Sequence, residues 1–170
     1  MARALVVFES MFGNTEAVAE AVRAGLAEGR QVDVVEVGEA PDVLPGDVDL
    51  LVVGAPTHAF GLSRASTRES AADQATGELV SRGRGVREWL DALAPADRPV
   101  SAVAFDTRVK VGWLPGSAAK AIAKRLRRLR FAAAGAPMSF YVGGTPGPLS
   151  DGEIDRARTW AKGIRATSRA

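Results

Sequence analysis

The sequence predicts an α/β fold, a doubly wound five-stranded parallel sheet of order 2-1-3-4-5 with helices on both faces. Three observations predict it. Strand-like apolar runs alternate with helical patterns along the chain. Two of the runs, LVVF and LLVVG, are apolar almost throughout, as strands covered on both faces must be. The loops after strands 1, 3 and 4, where such a sheet opens its ligand crevice, all have unusual composition.

The strand-like runs are residues 5–8, 32–37, 49–54, 100–105 and 138–142. Helical patterns fall between them at 15–28, 78–93, 117–131 and 151–166. Gly135, beyond the third helix, stands where a left-handed cap is common. The segment 63–85 is the least regular, rich in Ser, Thr, Arg and Gly and containing SRGRG. It reads as a mobile insertion or lid, with a short helix over 67–75. No repeat or domain boundary is visible, so residues 1–170 read as one domain.

Composition narrows the function classes. The 170 residues are 46% hydrophobic and 25% charged, with a net charge of +2. That is the balance of a soluble globular protein, not of a general nucleic-acid binder. No apolar run approaches the ~20 residues needed to span a bilayer, and no signal-peptide pattern is present. A cytoplasmic location is therefore expected. There is no cysteine and one histidine, His58, so disulfides, thiolate chemistry and His-based metal sites are excluded. The local exception in charge is KAIAKRLRRLR, Lys120 to Arg130, with Ala121, Ile122, Leu126 and Leu129 on one helical face. It reads as a solvated basic face, or as a docking surface for an acidic redox partner or nucleic acid.

The run LVVFESMFGNTEAVAEA is the most informative stretch. Ser10, Gly13, Asn14 and Thr15 sit where strand becomes helix, and there the first helical amides are unpaired and the dipole favours an anion. A Walker A loop is ruled out because no Lys follows the glycine turn, and GxGxxG is absent. Two readings remain at this point, a phosphate site and an ordinary turn capped by Ser10 or Asn14.

With the loops located at 9–15, 55–62 and 106–117, the chain resembles the flavodoxin family over nearly its whole length. Ser10-Met11-Phe12-Gly13-Asn14-Thr15 is similar to the family's phosphate loop. It departs at Phe12, where another hydroxyl is usual and one phosphate donor is lost. Pro56-Thr57-His58-Ala59-Phe60-Gly61 is similar to the loop beside the flavin ring. Asp106-Thr107-Arg108 through Trp113 to Gly116-Ser117 takes the place of the loop over the ring's other side. The late GGTPGPLSDGEIDRARTW resembles the last loop and helix of actinobacterial flavodoxin-like proteins.

The resemblance implies bound flavin mononucleotide (FMN), electron transfer, and a redox partner protein or small quinone. A flavin needs a phosphate cradle, flat apolar walls and backbone dipoles. Ser10, Thr15 and helix amides would supply the cradle, and Phe60 and Trp113 the walls. Gly61 would allow the peptide rearrangement that meets flavin N5. Asp106 also reads as a cap closing its strand, and Trp89 and Trp160 as packing residues. His58 reads either as a proton donor or as a loop residue with a backbone hydrogen bond. Arg108, Lys110, Arg64 and Arg68 would raise the potential of the reduced flavin above that of an acidic carrier.

Electron carriage is the leading expectation. Two alternatives stand beside it: a flavin-dependent quinone reductase or protoporphyrinogen oxidase-type enzyme, and a regulatory or interaction module of the same fold lacking flavin.

Overall fold

A computed structural model describes residues 2–58, 61–75, 77–110 and 116–165. The strands are β1 (Arg3–Phe8), β2 (Gln31–Glu36), β3 (Val48–Pro56), β4 (Ser101–Val109), β5 (Ala132–Ala133) and β6 (Met138–Val142). The helices are α1 (Asn14–Leu26), α2 (Ala65–Gln74), α3 (Val86–Ala92), α4 (Ala118–Arg128) and α5 (Glu153–Lys162). The order across the sheet is β2-β1-β3-β4-β5, with β6 also pairing β4, and every named strand pair is parallel. The expected order 2-1-3-4-5 is therefore present, with its fifth position shared by β5 and β6.

Alternation along the strands explains the two layers. Leu5, Val7, Leu51, Val53, Ala102 and Ala104 face one side, where Trp89 of α3 and Ile122 and Leu126 of α4 cover them. Ala4, Val6, Leu50, Val52, Val103 and Phe105 face the other, beneath Val18 and Val22 of α1 and Ala157 and Ala161 of α5. Val18, Val22 and Leu26 recur at helical spacing, so one stripe of α1 is buried. Gly25 lets α1 and α5 touch, because a Cβ there would lie 2.4 Å from the Arg158 carbonyl oxygen. Trp89 and Trp160 are packing residues as expected. Trp89 donates to the Pro41 carbonyl at 3.0 Å, and Trp160 meets Phe105 and Phe140 edge to face.

Three expectations need correction. The pattern at 78–93 is helical only from Val86. Before it, the amides of Val80 and Ser81 bond to the carbonyls of Met11 and Ser10, which takes them out of any helix. The short helix expected over 67–75 is present as α2, at Ala65–Gln74. The third predicted helix ends well before Gly135. Its left-handed residue is Arg130, at φ 69°, with Phe131 N–H bonded to the Leu126 carbonyl and Arg130 N–H to that of Arg127. This double bond pattern closes the helix so that Phe131 tucks into the core beside Leu126. Finally, β3 and β4 run past their predicted ends, because β4 keeps pairing with β6 out to Val109. Pro56, Asp106, Thr107 and Arg108 consequently stand on strands rather than in loops.

Candidate functional site

The carboxyl ends of β1, β3 and β4 converge on a cleft of about 80 Å3. Ser10, Met11, Phe12, Asn14 and Thr15 line it from the first loop, Pro56, Thr57 and His58 from the second, and Thr107 and Arg108 from the third. A cleft of this volume has room for a small anionic group such as a phosphate. Val109, Val142 and Thr145 also line the cleft, and residue-by-residue reading did not single them out. Thr145 belongs to the GGTPGP run, which was marked only as a segment.

The turn that begins α1 is built for an anion. Gly13, at φ 94°, is the N-cap and no side chain caps the helix, so the amides of Asn14, Thr15 and Glu16 stay available at the positive end of the dipole. Ser10 Oγ accepts from Gly13 N–H at 3.1 Å and holds the turn in shape. Asn14 Nδ2 donates to the Pro146 carbonyl at 3.3 Å, tying the last loop to the turn. Thr15 Oγ1 and Thr107 Oγ1 lie 2.7 Å apart. One hydroxyl must donate to the other, which leaves the second proton for a ligand.

The start of α4 differs. Ala118 N–H donates to Thr57 Oγ1 at 3.0 Å, Ala119 N–H to Asp106 Oδ2 at 3.1 Å and Lys120 N–H to Ser117 Oγ at 3.3 Å. Asp106 Oδ2 also accepts from the Thr57 and Ser117 hydroxyls. Asp106, fully buried, thus follows the capping reading. Gly116 holds φ 87° and its carbonyl accepts from Arg108 Nη1 at 2.8 Å. Asp106, Gly116 and Ser117 build the wall behind the cleft and do not line it.

A second buried carboxylate, Glu9, closes α3. Its Oε1 accepts from Val86 N–H at 2.7 Å, and burial pushes its pKa up, against the Ser63 hydroxyl, the Val86 amide and Arg68, which pull it down. Sequence reading gave Glu9 no role; a Glu ending an apolar strand was the available signal. His58 is largely buried, with Nδ1 3.1 Å from Thr67 Oγ1. Burial and then Arg68 lower its pKa, so it is neutral at pH 7. His58 and Gly61 exchange backbone hydrogen bonds of 2.8 and 2.9 Å. Of the expected cations, Arg68 is paired with Glu88, Lys110 sits over the Tyr141 ring, and Arg108 reaches the cleft. Ala59, Phe60 and Trp113 lie outside the described residues.

This arrangement coincides with what sequence comparison finds. The flavodoxin family model matches residues 6–92, just over half of the chain and the part that carries the first two loops.

The chain belongs to the flavodoxin family.

Membership in the flavodoxin family implies a flavin cofactor and electron transfer. Solved structures agree on the fold. Flavodoxin 1 from Bacillus cereus is 16% identical, with 95% of each chain covered and a TM-score of 0.67. A flavodoxin from Streptococcus pneumonia is 18% identical over 94% of this chain and 95% of that one, at 0.64. A flavodiiron core from Synechocystis is 14% identical at 0.58, with 96% of this chain covering 34% of that one. No curated protein matches the sequence. Among the described residues, no helix is long and apolar enough to cross a membrane.

Proposed function

We propose that this chain is a single-domain electron carrier holding FMN, with the nucleotide's phosphate on the first turn of α1. The observation that carries the reading is the uncapped α1 terminus opening into a cleft walled by three strand-end loops. The donors match a phosphate: the amides of Asn14, Thr15 and Glu16, the hydroxyl of Ser10, and the proton left over from the Thr15–Thr107 pair. Pro56, Thr57, His58 and Arg108 bound the route from that point toward the strand ends. Bound there, the flavin would supply reversible one- and two-electron chemistry. Partners would be a cytoplasmic reductase and acceptor protein.

His58 favours carriage over quinone reduction. A half-hidden imidazole held neutral and tied to Thr67 is a poor source of protons at pH 7. Its place at the cleft suits a polar wall.

Titration of the purified chain with FMN and with riboflavin, followed by flavin absorbance and fluorescence, tests the reading. FMN is expected to bind at least 100-fold more tightly, about 2.7 kcal/mol from the phosphate contacts. Equal affinities, or no binding of either, would overturn it.

A further inference from the structure

A cavity larger than the cleft lies away from it, at the edge of the sheet. It encloses about 600 Å3, inside the ~300–1,000 Å3 range of small-molecule sites. Its origin is a break in strand pairing. Ala133 pairs with Ala102 and Met138 with Phe105, so residues 134–137 stand opposite only Val103 and Ala104. The edge bows outward, and the gap is walled by the exposed Ala133, Gly135, Ala136 and Pro137.

The floor is apolar, made by Ala102, Ala104, Leu126 and Phe131. All four are buried. The opposite rim is cationic. Lys120, Lys124 and Arg127 recur at i, i+4 and i+7, which places them in one stripe of α4 along the groove. All three are exposed, and none is ion-paired to a described residue. Arg125, on the same helix but off the groove, is paired with Asp91 at 2.9 Å. Unbalanced positive charge is therefore concentrated where the apolar gap opens.

We propose that this groove is a second binding site, for a small amphiphilic acid with an apolar body and one anionic head. The body displaces water from the Ala/Leu/Phe floor, which stabilises binding in proportion to the apolar area covered. The head meets the stripe of Lys120, Lys124 and Arg127, whose charges lack internal partners. The site is independent of the flavin reading, since none of its residues lines the cleft.

Decanoate, below its micelle concentration, is the probe, measured by isothermal titration calorimetry on the full chain with and without saturating FMN. Saturable 1:1 binding is expected, unchanged by FMN. Decanol, equally apolar but uncharged, should bind at least 10-fold more weakly. Arg127→Glu should weaken decanoate at least 5-fold, and Arg128→Glu, an equal charge change on an exposed residue that does not line the groove, less than 2-fold. Equal losses in the two arginine variants, competition by FMN, or no saturable binding would each overturn the proposal.

Discussion

Three of the helices that follow strands in this sheet, α1, α3 and α4, have their first turns treated in two ways. Each of α3 and α4 is closed by a carboxylate at the end of a strand. Glu9 takes the first amide of α3, and Asp106, with Ser117 and Thr57, takes the first three amides of α4. The start of α1 receives no side-chain cap, although Ser10 and Asn14 are both good capping residues. Ser10 instead bonds to the Gly13 amide, and Asn14 turns away to Pro146. Helix α5 also starts at a left-handed glycine without a side-chain cap, but only the open start of α1 borders the cleft. A carboxylate both satisfies amides and cancels the dipole, so α3 and α4 repel a further anion. On the proposed function, the first turn of α1 keeps its donors for a phosphate, at a cost in stability to the protein without one.

Loss of the Asp106 carboxylate should cost the fold most. Asp106→Ala leaves the Ala119 amide and two hydroxyls without their acceptor, and should destabilise the protein by roughly 3 kcal/mol. A fall in Tm of roughly 6–12 °C is the expected readout. A change below about 2 °C would mean that α4 does not depend on its cap.

Glu9 sharpens the comparison through pH. Its carboxyl is raised above the ordinary 4.5 chiefly by burial, with Glu88 adding to the rise and the Ser63 hydroxyl, the Val86 amide and Arg68 opposing it. A raised carboxyl stabilises the fold fully below its unfolded pKa, and that contribution is lost as pH rises through the folded pKa. Glu9→Gln still presents an acceptor to Val86 but does not ionise. Its Tm relative to the parent should therefore improve between about pH 4 and pH 8, with a smaller effect than at Asp106. A pH-independent difference would show that the carboxyl is not raised.

The smallest effect concerns the other end of α4, closed at the cost of a left-handed arginine. Arg130→Gly removes that strain and should stabilise the protein by about 1 kcal/mol, read as a rise in Tm of roughly 2–4 °C. A fall in Tm would show that the Arg130 side chain outweighs its backbone cost.

Local features of this architecture were legible in the sequence, and its long-range closures were not. The β1–turn–α1 unit showed itself because apolar period, glycine and hydroxyl residues coincide within 17 residues. The strand order followed from alternation alone. Asp106 was readable as a cap, because a strand-end Asp stands eleven residues before Ser117. Glu9 was not, since its partner Val86 lies 77 residues away. The false helical start at 78–85 has the same cause, as Val80 and Ser81 bond to Met11 and Ser10 across the fold. The two-residue β5 is too short to leave a pattern, and it sets the gap beside α4. Arg130 shows tertiary packing overruling propensity: Phe131 had to reach the core, so the chain turned left-handed one residue earlier, at an arginine.

If α1 is open because an anion closes it, Asn14→Asp should weaken FMN binding. The change puts a carboxylate on the first residue of α1, as Asp106 and Glu9 do for its neighbours. Affinity for FMN should fall at least tenfold, about 1.4 kcal/mol or more, while the flavin-free protein stays folded, because the ~0.5 kcal/mol that an acidic first turn contributes offsets much of the lost Asn14–Pro146 bond. Unchanged FMN affinity in a folded Asn14→Asp variant would contradict the account, because the phosphate would then lie elsewhere.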